Sequence, residues 1–198
     1  MKRDEALSIL ARHYPDGIVV PVYQSAFDWM AIRPHPLNYL CTGAMGQAVS
    51  HALGLALGCP EEKVVVLDGD GSLLMNLGAL VTVANARPKN LVHFLSYNGE
   101  YEVNGRFPVP GGRALDFAGM AHAAGIEHAF TFGDAAVFDE RLGDLLSLEG
   151  PVFAELLVEP GGGHPHDYVA LHSEESRRTF RAALRDRRAS PIGPRRSA

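Results

Sequence analysis

Residues Asp68-Gly69-Asp70-Gly71-Ser72 stand between the apolar run Val64-Val65-Val66-Leu67 and a second one that opens Leu73-Leu74-Met75. A carboxylate at the end of a strand, with a helix beginning behind it, can hold a hard cation while helix amides and a serine hydroxyl meet phosphate oxygens. The two glycines let a ligand approach the backbone closely. The same residues also spell an ordinary Asp-Gly turn, and by themselves they leave both readings open. Asn98 bears on the choice, because it follows the next apolar run, and adjacent parallel strands would bring it beside Asp70. Magnesium takes about six oxygen ligands, which Asp70, the Asn98 amide, a backbone carbonyl, phosphate oxygens and water can supply between them.

Such a site needs a scaffold that aligns strand ends. Ala6, Leu7, Ile9, Leu10 and Tyr14 suit an opening helix, and Pro15-Asp16-Gly17 ends it. Strands are expected at 18–22, 37–40, 63–67, 91–95, 127–132 and 152–158. Helices are expected at 46–57, 73–85, 116–124, 135–146 and 173–187. Short, almost wholly apolar strands alternating with helices predict a doubly wound α/β sandwich, its mostly parallel sheet covered on both faces. Ligands in such sheets bind where loops leave the carboxyl ends of the strands, which is where residues 68–72 and Asn98 fall.

The length of 198 residues suits one domain, expected over 1–188, followed by a basic, disordered tail at 189–198. With 46% hydrophobic and 21% charged residues the chain has the composition of a globular protein rather than a disordered one. The formal charge is -5, yet from Arg177 onward eight Arg face one Asp, so the body of the chain is more acidic than the total. This argues against a nucleic-acid-binding core and reads as a solvated helix with a tail. Two cysteines, Cys41 and Cys59, are too few for a zinc or iron-sulfur motif. No apolar run approaches a membrane span, and no Gly-x-Gly-x-x-Gly opens a helix after the first strand. No membrane association and a cytoplasmic location are the expectations.

Gly69-Asp70-Gly71-Ser72, with the 26 residues from Ser72 to Tyr97 and then Asn98, resembles the magnesium-binding motif in the diphosphate-binding (PP) domain of thiamine-diphosphate enzymes. Thr42-Gly43-Ala44-Met45-Gly46, followed by a helix of small residues, is similar to the cofactor loop of acetolactate synthases and related decarboxylases. Leu74-Met75-Asn76-Leu77-Gly78 and Arg87-Pro88-Lys89-Asn90-Leu91 look most like sulfopyruvate decarboxylase β subunits and phosphonopyruvate decarboxylases. The resemblance spans about residues 4–184.

It implies a thiamine-diphosphate-binding fold in which Asp70, Asn98 and the backbone carbonyl of Glu100 hold Mg2+. Gly69, Gly71 and Ser72 would meet the diphosphate, and Gly43, Ala44 and Met45 would contact the rings of thiamine diphosphate. Met45 would wedge beneath the cofactor and the Gly43 carbonyl would accept from its 4'-amino group, which makes these two the catalytic candidates. The reaction implied is decarboxylation of a pyruvate-like 2-oxo acid of the sulfo- or phosphonopyruvate type, with the cofactor as electron sink. Carboligation of the acetolactate-synthase kind and a non-catalytic cofactor-binding module are the alternatives. In this enzyme class a Glu from a pyrimidine-binding (PYR) domain completes the site, and the chain has no room for that domain. The resemblance therefore implies a β subunit with a PYR-domain α subunit, in an α2β2 or larger assembly.

The chain departs from the family at Tyr97, where Asn or Asp is common. It departs again at Val103-Asn104-Gly105, where the sulfo- and phosphonopyruvate enzymes tend to carry Ser-Thr-Gly. Arg106 could pair with a substrate carboxylate or simply be solvated. His164 and His166 could serve as proton donors at the site's mouth or belong to a surface turn. His51 and His93 are expected to be packed and hydrogen-bonded.

Overall fold

Five apolar segments pair in register, all parallel, in the spatial order Ile18–Pro21, Val64–Gly69, Leu91–Tyr97, Val152–Leu157 and His128–Phe132. The structure is a computed structural model, and it describes residues 1–40, 44–159 and 163–189. The chain begins with α1 (Arg3–His13), β1 (Ile18–Pro21), α2 (Tyr23–Ile32), α3 (Ala48–Gly58) and β2 (Val64–Gly69). Next come α4 (Asp70–Leu74), α5 (Ala79–Ala86), β3 (Leu91–Tyr97) and a small antiparallel pair, β4 (Glu100–Tyr101) with β5 (Phe107–Pro108). The order closes with α6 (Phe117–Ala123), β6 (His128–Phe132), α7 (Ala135–Ser147), β7 (Val152–Leu157), α8 (Tyr168–Leu171) and α9 (Glu174–Ala189).

The β-branched run Val64-Val65-Val66 shows why these strands read as continuous hydrophobic stretches. Val64 and Val66 pack on one face with α3, α5, α6 and Phe180 of α9, while Val65 and Leu67 pack on the other with α1, α7 and Trp29 of α2. Both faces are covered, so alternation of polar and apolar residues has no role. The helices start on their own chemistry: the side chain of Asp116 accepts from the Gly119 N–H, and that of Asp134 from Ala136 and Val137.

The doubly wound parallel sheet expected from the sequence is present, and four local expectations are corrected. Residues 37–40 form no full strand. Val19 donates to the Leu37 carbonyl and accepts from Tyr39, giving one parallel bridge at the sheet edge, Val19↔Asn38. The helix expected at 73–85 is two helices, because Asn76 leaves the helical path to donate its amide to the Gly46 carbonyl at 2.8 Å. Residues 68–72 contain no loop: β2 runs through Gly69 and α4 begins at Asp70. α2 was not foreseen. Ser25 to Trp29 are all buried, so this helix shows no amphipathic stripe to read. Among the described residues no helix is long and apolar enough to cross a membrane. The tail expected at 189–198 lies, beyond Ala189, outside the described residues.

Candidate active site

The carboxyl ends of β1, β2 and β3 open onto one cleft with about 430 Å³ of empty space. β1 delivers Val22, Tyr23, Gln24 and Ser25 at the start of α2. β2 delivers Gly69, Asp70, Gly71 and Ser72, and β3 delivers Ser96 and Asn98. The segment after β3 closes the cleft with Glu100, Tyr101, Glu102 and Val103, Met45 borders it, and Arg3 reaches in from the first turn of α1. The register that sets Gly69 opposite Ser96 brings Asp70 next to the chain leaving β3.

Asp70 is 3% exposed. Its Oδ1 accepts from the Gly71 N–H at 2.7 Å and its Oδ2 from the Gly99 N–H at 2.6 Å. Burial pushes its carboxyl up to about 6, against the pull of the backbone N–H groups of Gly99, Gly71 and Asn98, and the Glu102 carboxylate adds to the rise. Gly99 takes a positive φ of 83°, which aims its N–H at Asp70 in a conformation that L side chains rarely adopt. Asn98 is buried as well. Its Oδ1 accepts from the Glu100 N–H at 2.8 Å and its Nδ2 donates to Glu102 Oε2 at 2.8 Å. Gly71 has a different reason to be glycine: a Cβ there would run into the Tyr101 ring.

The turn carrying Met45 is tied to the same elements. The Gly46 N–H donates to Ser72 Oγ at 3.0 Å, and the Gly46 carbonyl accepts from Asn76. Ser72 thus keeps its hydroxyl hydrogen free to donate into the cleft it lines.

Among the described residues, Glu102 acts on Asp70 directly and shares the buried Arg3 with the buried Asp28, so in this cluster carboxylates outnumber cations. Arg3 Nε meets Asp28 Oδ2 at 2.7 Å, and its Nη1 meets Glu102. A raised carboxyl, an amide oxygen and a surplus of negative charge form an all-oxygen donor set that suits a hard divalent cation. Among the described residues no group of three or more His, Cys, Asp or Glu could hold a metal unaided. A cation here would take its remaining oxygens from phosphate or water, as Mg2+ commonly does. The residues present therefore fit Mg2+ carried with a diphosphate.

Met45, Gly69, Asp70, Gly71, Ser72, Asn98 and Glu100, all expected from the sequence, line this cleft. Ala44 is exposed and is not among the lining residues, and Gly43 lies outside the described residues. Arg106 pairs with Glu100 of its own chain at 3.0 Å on the surface. His164 sits on Asp28, with Nδ1 3.2 Å from Oδ1, and His166 stacks on Phe27; neither lines the cleft. His51 is exposed and not buried in an apolar environment, but it is hydrogen-bonded as expected: its Nδ1 lies 3.0 Å from the Tyr39 hydroxyl, with the two rings 5.4 Å apart. His93 is packed against Phe153, but its Nε2 has no hydrogen-bond partner and faces Asp68 Oδ2 at 3.4 Å. The sequence reading missed Arg3 and the start of α2 as parts of the site. Arg3 carries no local signal, since a charge near the chain start ordinarily lies in water.

Residues 21–156 match the family model described as thiamine pyrophosphate enzyme, C-terminal TPP binding domain. The chain belongs to this thiamine pyrophosphate enzyme family. It is 41% identical over 131 residues to the sulfopyruvate decarboxylase subunit beta of Methanothermobacter thermautotrophicus, covering 66% of this chain and 67% of that one. It is 35% identical over 144 residues to the phosphonopyruvate decarboxylase of Streptomyces hygroscopicus, covering 73% of this chain and only 35% of that longer protein. The benzoylformate decarboxylase of Polynucleobacter necessarius superposes with a TM-score of 0.68 at 20% identity, over 83% of this chain and 34% of that one, a likeness of fold. The family's matched stretch begins at Pro21, the last residue of β1, and ends in β7, so it takes in β2, β3, β6 and most of β7 with both Asp70 and Asn98.

Proposed function

We propose that the chain is the diphosphate-binding subunit of a thiamine-diphosphate- and Mg2+-dependent decarboxylase. Its substrate is a pyruvate-like 2-oxo acid bearing a second acidic group, of the sulfo- or phosphonopyruvate type. The observation that carries this reading is the meeting of Asp70 and Asn98 in one acidic, oxygen-lined cleft at the strand ends. The names of the two curated relatives support the decarboxylase class and the acidic substrate.

The Asp70 carboxylate, the Asn98 amide oxygen and the Glu100 carbonyl would hold Mg2+, while Gly69, Gly71 and Ser72 face the diphosphate. Thiamine diphosphate, when bound, supplies the electron sink that decarboxylation of a 2-oxo acid requires. The chain's own share is positional. The N–H groups of Gly71 and Gly99 fix the Asp70 carboxylate, and Ser72 and Asn76 hold the Met45 turn against α4. Met45, Val22 and Val103 give the cleft apolar walls that limit water. A pyrimidine-binding partner chain completes the site in an α2β2 or larger assembly.

The test is native mass spectrometry of the chain purified from its own source in Mg2+, followed by CO2 release from sulfopyruvate, phosphonopyruvate and pyruvate. The expected result is a second chain, a retained thiamine diphosphate mass, and turnover of an acidic analogue that Asp70→Ala abolishes. A chain that stays empty in excess cofactor and Mg2+, or an Asp70→Ala variant with unchanged cofactor affinity and turnover, overturns the assignment.

A further inference from the structure

We infer that Glu102 is a positioning residue that sets the amide of Asn98 so that its oxygen, and not its nitrogen, is presented to a bound cation. The inference rests on the proposed reading of Asp70 and Asn98 as cation ligands.

An asparagine amide has two ends of nearly equal shape, and only the oxygen can ligate a hard cation. Rotation by half a turn would present NH2 instead. In this chain each end of the Asn98 amide meets a partner of fixed polarity. The Glu102 carboxylate, which accepts and does not donate, takes the Nδ2 hydrogen at 2.8 Å. The Glu100 backbone N–H, which only donates, meets Oδ1 at 2.8 Å. The flipped amide would set oxygen against carboxylate and NH2 against N–H, two repulsive contacts in a site where Asn98 is 6% exposed.

Glu102 can do this because it is itself immobilised. Its side chain is 6% exposed and is gripped by Arg3 from α1, whose Nε is held by Asp28 of α2. Three charges from α2, α1 and the segment after β3 form a chain, Asp28 to Arg3 to Glu102, and its last member meets the amide. Such a cluster adds little stability over apolar packing of equal volume, so the orientation it imposes is the property it contributes. Nothing in the composition or periodicity of residues 100–104 announces it, since Arg3 and Glu102 lie 99 residues apart.

The test exchanges donor and acceptor. The probe is Mn2+ with thiamine diphosphate, its affinity read by electron paramagnetic resonance on the full chain with any subunit that co-purifies. Glu102→Gln, nearly isosteric, can meet either end of the amide and should weaken Mn2+ by about tenfold or more, the size of losing one charge-assisted hydrogen bond. Adding Asn98→Asp to Glu102→Gln makes both ends of residue 98 oxygen and gives the Gln amide an acceptor. Asn98→Asp alone is the reference, because a carboxylate at position 98 binds a divalent cation more tightly than an amide whatever its neighbour. The double variant should therefore bind as tightly as Asn98→Asp. A Glu102 that merely braced α1 would leave the double variant as far below Asn98→Asp as Glu102→Gln lies below the wild type. Wild-type affinity in Glu102→Gln, or a double variant that far below Asn98→Asp, overturns the inference.

Asp70→Ala separates the two levels. Loss of Mn2+ in Asp70→Ala with wild-type binding in Glu102→Gln refutes the role of Glu102 alone, whereas unchanged binding in Asp70→Ala refutes the metal site and this inference with it. Should the Glu102 variants not fold, the unmutated chain still decides. By NMR the Asn98 side-chain NH2 should exchange slowly with solvent, and rapid exchange overturns the inference.

Discussion

Replacing Asp70 with Asn is expected to stabilise the fold at neutral pH while removing cation binding. Burial holds the Asp70 carboxyl at about 6 instead of the ordinary 3.8. The folded chain therefore holds this proton more tightly than the unfolded chain, and stability falls as the pH rises through the window between the two values. Above pH 7 the ionised Asp70 costs the fold about 3 kcal/mol. Asn carries no charge and keeps one oxygen for either the Gly71 or the Gly99 N–H, but its NH2 faces the other. That unmet N–H takes back about 1 kcal/mol. The net gain is about 2 kcal/mol, or about 4–8 °C in Tm for a chain of this size. The assay is urea unfolding of both proteins in EDTA across about pH 4.5 to 8. The advantage of the variant should be absent at the acid end and full above pH 7. Mg2+ and thiamine diphosphate should then reverse the order, adding about 2.7 kcal/mol to the wild type at a hundred times Kd and nothing to the variant. A variant less stable than wild type at pH 7.5, or a difference that ignores pH, would show that the backbone donors and not burial govern this carboxyl.

Gly71→Ala sets a Cβ against the Tyr101 ring and should cost about 1–3 kcal/mol in urea unfolding, most of it recovered when Tyr101→Ala is added. Failure of the second change to rescue the first would place the strain elsewhere. Phe180 is the buried residue of α9 and meets the Tyr39 ring edge-on at 5.1 Å, so Phe180→Ala should release α9 to fast amide exchange while β2 and β3 stay protected. Persistent protection would mean that Arg187, paired with Glu62 and Asp16, holds the helix without it. Burial also raises the Glu155 carboxyl, whose partners are the Phe117 N–H and the Thr131 hydroxyl. Gln can meet both, so Glu155→Gln should be at least as stable as wild type at pH 7.5 and lose that advantage as the pH falls; marked destabilisation at neutral pH would contradict it.

The alternation of apolar strands and helices was legible in the linear sequence because a parallel sheet buried on both faces demands continuous runs such as Val64-Val65-Val66-Leu67. The pairing of Asp70 with Asn98 followed from the same fact, since each residue sits at the carboxyl end of a strand and those strands are neighbours. Parallel pairing of β2 with β3 puts such residues together.

What the linear sequence left open depends on contacts between distant segments. α2 is buried through five consecutive residues, Ser25 to Trp29, so no apolar stripe betrays its period. The helix expected at 73–85 breaks because Asn76 finds the Gly46 carbonyl, a partner 30 residues away. Nothing in the sequence reading singled out Arg3. It lies buried in the cleft because Asp28 and Glu102 meet it there and offset its desolvation. Local sequence determined which elements form and which strand ends carry chemistry, because those follow from periodicity and turn residues. Only the tertiary structure decided which charges lie out of water and which way the Asn98 amide points, because burial and hydrogen-bond polarity belong to the assembled neighbours.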